Sequence, residues 1–174
     1  LSSSIYSLEG KLLSTTYEPS CFYTLPIKDE DDNIYKCFDN FTSEDRLDED
    51  NKWFNDKTKE YIEANKKISF WSLPKILIVV LKRFDNRGRK KTNIIKFPFE
   101  LDLSKYCVGY KKNTYKYNLI SVANHDGSLN SGHYYSYVKN INNNWYTYND
   151  TMVSQMESSN VVSQSAYCLF YRLK

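Results

Sequence analysis

The two histidines of the chain, His125 and His133, lie eight residues apart, and an adjacent Asn149 and Asp150 follow downstream. An imidazole exchanges protons near neutral pH, which suits it to general acid and base catalysis. An amide or carboxylate that accepts a hydrogen bond from the ring fixes which ring nitrogen holds the proton. These residue types therefore predict two members of a catalytic triad, with the nucleophile still to be found.

The surrounding pattern predicts three strands that would position these groups. Apolar residues alternate with polar ones over residues 115–123, and alternation resumes over 133–138, directly after Gly132. A third, aromatic strand is predicted at 145–149, joined to the second by the polar turn 140–144. A histidine at the start of the second strand, beside a flexible glycine, would lie at the rim of a sheet where a substrate can reach it.

The second and third strands are expected to form a hairpin. Pairing returns the end of the third strand to the start of the second, so Asn149 or Asp150 can approach His133. Because side chains alternate along a strand, these two are expected to point in opposite directions, and only one of them can orient the imidazole directly.

This arrangement resembles the histidine box of the ubiquitin-specific proteases, which are papain-like cysteine deubiquitinases. The matching residues are His125, Gly127, Gly132-His133-Tyr134, Trp145-Tyr146, Tyr148 and Asn149-Asp150. The segment Leu81-Lys82-Arg83-Phe84 after an apolar run, and residues 166–171 as a last strand, are also similar to that family. The resemblance extends over nearly the whole chain.

The resemblance implies an α+β fold of the papain-like, ubiquitin-specific protease type, with a mostly antiparallel twisted sheet. It implies the C-terminal part of the catalytic domain: a fingers-like part over about 1–67, a palm with the histidine box over about 68–174, and no helical thumb. Asn55 and Thr58 stand where the family has zinc-binding cysteines, so no metal is expected in the fingers. No cofactor is implied.

The implied activity is thiol-dependent cleavage of the isopeptide bond after the C-terminal glycine of ubiquitin. His133 would be the general base, and Asn149 would orient it, with Asp150 as a helper. The substrate-binding residues implied are His125, Gly127, Gly132 and Tyr134, with His125 favoured for a structural or loop-positioning role. The implied partners are ubiquitin or ubiquitinated proteins.

The nucleophile is not evident among the four cysteines. Cys21, Cys37, Cys107 and Cys168 are widely spaced and form no metal-binding or disulfide pattern, which favours a reducing intracellular compartment, cytoplasmic or nuclear. None lies in the family's cysteine box. Two hypotheses follow: the cysteine belongs to a missing segment of the same domain, or the chain is a catalytically inactive ubiquitin-binding module.

Bulk properties restrict the partners. The net charge of +3 over 174 residues is small, and no apolar run approaches the roughly 20 residues of a membrane span. We therefore expect no membrane partner. The basic run at 86–91 is typical of a solvated turn, and nucleic-acid binding is the weaker interpretation.

The remaining pattern predicts the framework. Apolar residues at helical spacing predict a short helix from Ile34 to Phe41, with a cap from the preceding acidic loop. The longest apolar run, bounded by Pro74, predicts a central strand buried on both faces. Residues 1–4 show no strand pattern and are expected to fray.

Overall fold

One eight-stranded sheet carries both histidines. The structure, a computed structural model, describes residues 1–110 and 114–174. The strands are β1 (Ser2–Tyr6), β2 (Leu12–Tyr17), β3 (Tyr23–Pro26), β4 (Glu44–Leu47), β5 (Trp53–Asn55), β6 (Glu60–Ile62), β7 (Ala64–Ser69), β8 (Ile76–Lys82), β9 (Glu100–Asp102), β10 (Lys116–Gly127), β11 (Gly132–Lys139), β12 (Trp145–Asn149), β13 (Met152–Met156) and β14 (Ala166–Leu173). One α-helix, α1 (Ile34–Phe41), follows β3, and short 3-10 turns lie at Glu49–Asn51, Ser104–Tyr106 and Ser158–Asn160.

The eight-stranded sheet has the order β13-β12-β11-β10-β14-β8-β3, and β9 pairs with β10 beside this path. Its neighbours are antiparallel except for the parallel pair of β3 and β8. A single core packs beneath it, with Leu25, Leu81 and Tyr171 among its fully buried side chains. The predicted α+β fold with a mostly antiparallel sheet is confirmed.

A smaller four-stranded sheet has the order β2-β1-β7-β4, and β5 and β6 form a separate two-stranded ribbon. The expectation that residues 1–4 fray is wrong. Ser2 is buried and pairs with Tyr17 on one side and Ser69 on the other. Backbone pairing on both sides orders this strand, which polar side chains alone do not reveal.

Helix α1 forms where its spacing predicts. Asn33 caps it, because the backbone N–H of Lys36 donates to Asn33 Oδ1 at 3.1 Å. Ile34, Cys37 and Phe38 are buried against the core. The helix therefore closes one end of the core beneath the larger sheet.

Strand β8 differs from its prediction. It lies next to the edge strand β3, and only Leu77, Val79 and Leu81 are fully buried, while Ile76 is 44% exposed. β-Branched residues favour a strand whether their side chains are buried or partly exposed. The apolar run therefore indicated a strand, but it did not show whether both faces of that strand are buried.

The predicted boundary near residue 67 stays a prediction. Strand β3 and helix α1, from the first 67 residues, contribute to the larger sheet and its core, whereas β1, β2, β4 and β7 build the smaller one. Within residues 1–110 and 114–174, no helix is long and apolar enough to cross a membrane. The same residues include no group of three or more histidine, cysteine or acidic side chains placed to hold a metal ion.

Candidate active site

The hairpin of β10 and β11 sets the position of His133. Register pairs Asp126 with His133, and Gly127 with Gly132. The loop at 128–131 is closed by the Ser128 N–H, which donates to the Ser131 carbonyl at 2.8 Å. The sequence predicted both strands and the glycine-containing loop between them, because alternation and turn residues are local signals, whereas the hairpin that it predicted is the one between β11 and β12.

His133 contacts Asn149 directly. The distance from His133 Nε2 to Asn149 Oδ1 is 2.6 Å. An amide oxygen only accepts, so this contact makes Nε2 the protonated nitrogen and leaves the lone pair on Nδ1. Within the described parts of the chain, no protein group hydrogen-bonds Nδ1. The side chain of His133 is 51% exposed, so a base with its lone pair free lies at the sheet rim.

Asp150 approaches the same nitrogen without bonding it. Its Oδ2 lies 4.0 Å from His133 Nε2. The expectation that Asn149 and Asp150 point in opposite directions is wrong, because Asp150 follows the last residue of β12 and has a left-handed φ of 50°. With a side chain 79% exposed, its attraction for an imidazolium is screened by water.

Two glycines let the hairpin close beside the site. Gly127 has a φ of 121°, and a Cβ there would lie 2.5 Å from Gly132 Cα. A Cβ on Gly132 would lie 2.2 Å from His125 Nε2 and 2.6 Å from the Asp126 carbonyl oxygen. No side chain fits at either position, so both glycines are required by the backbone approach itself.

His125 lies in an aromatic cluster on the other face of the sheet. Its ring centroid is 4.6 Å from Tyr134, 5.7 Å from Phe84 and 5.8 Å from Tyr167. The ring is buried, and its Nδ1 has no hydrogen-bond partner among the described residues. Burial, then the charge of Lys90, holds the pKa of His125 below its ordinary value. The neutral ring therefore packs as a support for the hairpin.

This burial predicts a pH-dependent stability. Below the ordinary histidine pKa of about 6.5, the unfolded chain binds a proton that buried His125 does not, so the free energy of unfolding should fall as pH drops below about 6.5. Melting temperatures between pH 5 and 7 measure this slope. We expect His125→Phe to flatten it. An unchanged slope in His125→Phe would contradict the assignment.

The cysteines offer no nucleophile for His133. Burial raises the pKa of the Cys37 thiol to about 12 and that of Cys168 to about 11. Cys107 is buried and donates to the Trp71 carbonyl, whereas Cys21 is exposed. Over residues 1–110 and 114–174, no hydrogen bond joins a cysteine to His133. A thiol that stays protonated is a poor nucleophile.

Sequence reasoning missed several supports of the hairpin. The Ser165 hydroxyl donates to the Asp126 carboxylate, and Lys90 Nζ donates to the His125 carbonyl. Tyr134, predicted for substrate binding, is 58% exposed and lies against His125. The hydrogen bonds of Ser165 and Lys90 join residues 39 and 35 positions apart in the chain. The only local signal for them was that Lys90 belongs to the basic run.

Comparison with known proteins places this geometry in a family. The model of the ubiquitin carboxyl-terminal hydrolase family matches residues 3–171. Ubiquitin carboxyl-terminal hydrolase 9 of Arabidopsis thaliana is 40% identical over 150 residues, covering 83% of this chain and 16% of that protein. Ubiquitin carboxyl-terminal hydrolase 4 of Mus musculus is 39% identical over 144 residues, covering 80% and 15%.

Solved structures of other proteins share the fold of this chain. A SAGA DUB module of Ubp8, Sgf11, Sus1 and Sgf73 bound to monoubiquitin contains a chain that matches with a TM-score of 0.85 at 30% identity. The same four-protein module bound to ubiquitin aldehyde matches with a TM-score of 0.84 at 30% identity. Each match covers 99% of this chain and 40% of the other.

The matched relatives are much longer: this chain spans about a sixth of the two hydrolases and 40% of the two solved chains. The structural match and the family match nevertheless each extend over nearly all 174 residues. The chain belongs to the ubiquitin carboxyl-terminal hydrolase family and is of the ubiquitin-specific protease type.

Proposed function

We propose that this chain supplies the histidine and asparagine of a Cys-His-Asn triad in a thiol-dependent deubiquitinase. The enzyme hydrolyses the peptide or isopeptide bond after the C-terminal glycine of ubiquitin. The observation that carries the proposal is the 2.6 Å contact between His133 Nε2 and Asn149 Oδ1, with the Nδ1 lone pair left as the base. The family membership of the chain and the ubiquitin in the two matched structures support it.

The chemistry follows from the tautomer. His133 Nδ1 takes the proton of the cysteine thiol, and the thiolate attacks the carbonyl carbon of the terminal glycine. The imidazolium returns that proton to the leaving lysine amine, and the C–N bond breaks to give a thioester. Water, deprotonated by the same nitrogen, then hydrolyses the thioester and restores the thiol. Asn149 holds the ring throughout without adding charge, and Asp150 adds a small, screened attraction for the imidazolium.

The hairpin suggests how a substrate backbone could come close to the site. Gly127 and Gly132 carry no side chain, because a Cβ at either position would overlap atoms of the hairpin itself, and Tyr134 stands exposed beside them. A substrate backbone can therefore approach these two positions closely. We propose that His125, Gly127, Gly132 and Tyr134 form this part of the substrate site.

The nucleophile is proposed to come from a cysteine-containing segment of the same domain that is not among these 174 residues. The raised thiol pKa values of Cys37 and Cys168 support this assignment. Residues 1–67 would then serve as a fingers-like part and 68–174 as the palm.

The second candidate is a catalytically inactive module that binds ubiquitin, favoured by the absence of a suitable thiol among the four cysteines. A ubiquitin-binding titration of the full-length protein, together with turnover of a fluorogenic ubiquitin C-terminal amide, separates the two. A deubiquitinase cleaves the amide, whereas a pure binding module binds ubiquitin without cleavage and is indifferent to His133→Ala.

Asn149 provides a graded test. Asn149→Ala should lower kcat by about 10- to 100-fold, because the imidazole loses the acceptor that fixes its tautomer. Asn149→Asp should keep most of kcat, since a carboxylate oxygen accepts the same bond. The matched control is Asn142→Ala, which loses two bonds at the far turn: the one that its Nδ2 donates to the Tyr146 hydroxyl and the one that its Oδ1 accepts from the Asn144 N–H. Steady-state kinetics on the fluorogenic amide measure all three, and an equal loss in Asn142→Ala would refute the role of Asn149.

A further inference from the structure

The basic run at 86–91 folds into a tight hairpin directly after β8. Phe84 and Lys90 form an isolated antiparallel bridge, and the Asp85 N–H donates to the Arg89 carbonyl at 3.1 Å. The Asp85 carboxylate accepts from the N–H groups of Arg87 and Arg89, each at 2.9 Å. The backbone that carries the basic side chains is therefore well ordered.

Most of these cations already have partners. Arg89 Nε lies 2.7 Å from Asp85 Oδ2, and Lys91 Nζ lies 3.0 Å from Asp29 Oδ1 and donates to the Ile27 carbonyl. Such pairing leaves little free charge for a polyanion, which weakens the nucleic-acid interpretation. Lys90 also has a partner, but its amine turns away from the run and donates to the histidine hairpin. Among the described residues, Arg87 alone of these cations has no side-chain hydrogen bond or ion pair.

Lys90 Nζ donates to the His125 carbonyl oxygen at 2.5 Å. The ladder between β10 and β14 ends one residue before His125, whose own N–H still donates to the Ser165 carbonyl at 2.9 Å, whereas its carbonyl accepts from the lysine. Asn124 pairs with Ala166, the first residue of β14, so His125 is one residue beyond the last pair. The lysine thus supplies the donor that a continuing strand would have provided.

The hairpin tip also lies near the loop between the histidines. A Cβ built on Gly88 would lie 3.4 Å from Leu129 Cδ2. The Lys90 amine lies 6.0 Å from the centre of the Phe84 ring, which itself packs on His125. The basic hairpin therefore contacts the end of β10 through Lys90 and Phe84.

We propose that Lys90 is a positioning residue for the triad, acting through the His125 carbonyl. This inference rests on the proposed function. The next two residues of β10, Asp126 and Gly127, pair with His133 and Gly132. Fixing the end of β10 fixes the start of β11, and with it the 2.6 Å contact between His133 and Asn149. Small displacements of a catalytic group lower kcat more than they weaken substrate binding.

The test compares Lys90→Gln with Arg87→Gln in the full-length protein. Both remove one positive charge from the same hairpin, but no side-chain hydrogen bond of Arg87 occurs among the described residues. We expect Lys90→Gln to lower kcat on the fluorogenic ubiquitin amide about tenfold with KM within about twofold, while Arg87→Gln stays near wild type. Glutamine keeps an amide donor, but it is shorter and uncharged, so Lys90→Arg, which keeps a charged donor of similar reach, should recover much of the loss. An unchanged kcat in Lys90→Gln, or an equal loss in Arg87→Gln, would overturn the proposal.

Amide hydrogen exchange makes this test independent of turnover. Lys90→Gln should speed exchange of the amides at 125–133 by about tenfold or more, even if the wild-type protein cleaves no ubiquitin, in which case the proposed function alone fails. Unchanged exchange there would refute the support by Lys90. Should Lys90→Gln fail to fold, Lys90→Arg decides: near wild-type exchange at 125–133 agrees with the proposal, and exchange as fast as in the exposed 86–89 turn contradicts it.

Discussion

Replacement of His133 by alanine should abolish cleavage of a ubiquitin C-terminal amide by the full-length protein, with kcat falling by about 1,000-fold or more. Within the described chain, His133 is the only histidine whose imidazole contacts an orienting amide, and the variant removes this base entirely. Because the ring is half-exposed, its loss leaves no cavity in the core and folding should persist. Steady-state kinetics and a melting curve measure the two effects.

Lys139→Ala is the matched control for this variant. Lys139 is exposed at the far end of the same strand, β11, so its loss should leave kcat near wild type. Ubiquitin affinity should change little in His133→Ala. Turnover that survives His133→Ala would show that His133 is not the general base and would favour a different mechanism.

Gly127→Ala should damage both the stability of the hairpin and its activity. The new Cβ would lie 2.5 Å from both Gly132 Cα and the Ser131 carbonyl oxygen, and the φ of 121° is one that an alanine rarely adopts. Backbone atoms cannot move aside as a flexible side chain can. We expect a loss of about 3 kcal/mol in the free energy of unfolding and a loss of about 100-fold or more in kcat/KM. Urea unfolding and the fluorogenic amide assay measure both quantities.

Gly10→Ala separates the effect of backbone strain from that of steric overlap. Gly10 also has a positive φ, 84°, but a Cβ there meets nothing within 4 Å. Its cost should be about 1 kcal/mol, with kcat/KM unchanged. Equal effects of the two variants on stability and activity would show that the hairpin tolerates a side chain at residue 127 and would contradict the overlap expected there.

Much of the candidate site was predictable because its signals are local. The strand predicted at 145–149 is β12, Trp145–Asn149, and the strand predicted at 133–138 lies within β11, Gly132–Lys139. Alternation and turn residues specify such elements over a few positions. The β11–β12 register ends at the pair of Ser136 with Tyr148, and its continuation would place Asn149 opposite Tyr135, so the contact with His133 is diagonal across the strands.

The failures have both non-local and local causes. Residues 1–4 are ordered by two partner strands, one of them more than 60 residues away, and no side-chain pattern announces such pairing. The direction of Asp150 depends on a left-handed backbone after the strand end. The link from Lys90 to His125 spans 35 residues and uses a backbone carbonyl, which leaves no trace in the sequence.

The most direct measurement is labelling of the full-length protein with ubiquitin bearing a thiol-reactive C-terminus, followed by mass spectrometry of the adduct. The account predicts one modified cysteine, different from Cys21, Cys37, Cys107 and Cys168, and much slower labelling in His133→Ala. An adduct on one of those four cysteines, or tight ubiquitin binding with no adduct, would contradict the proposed triad.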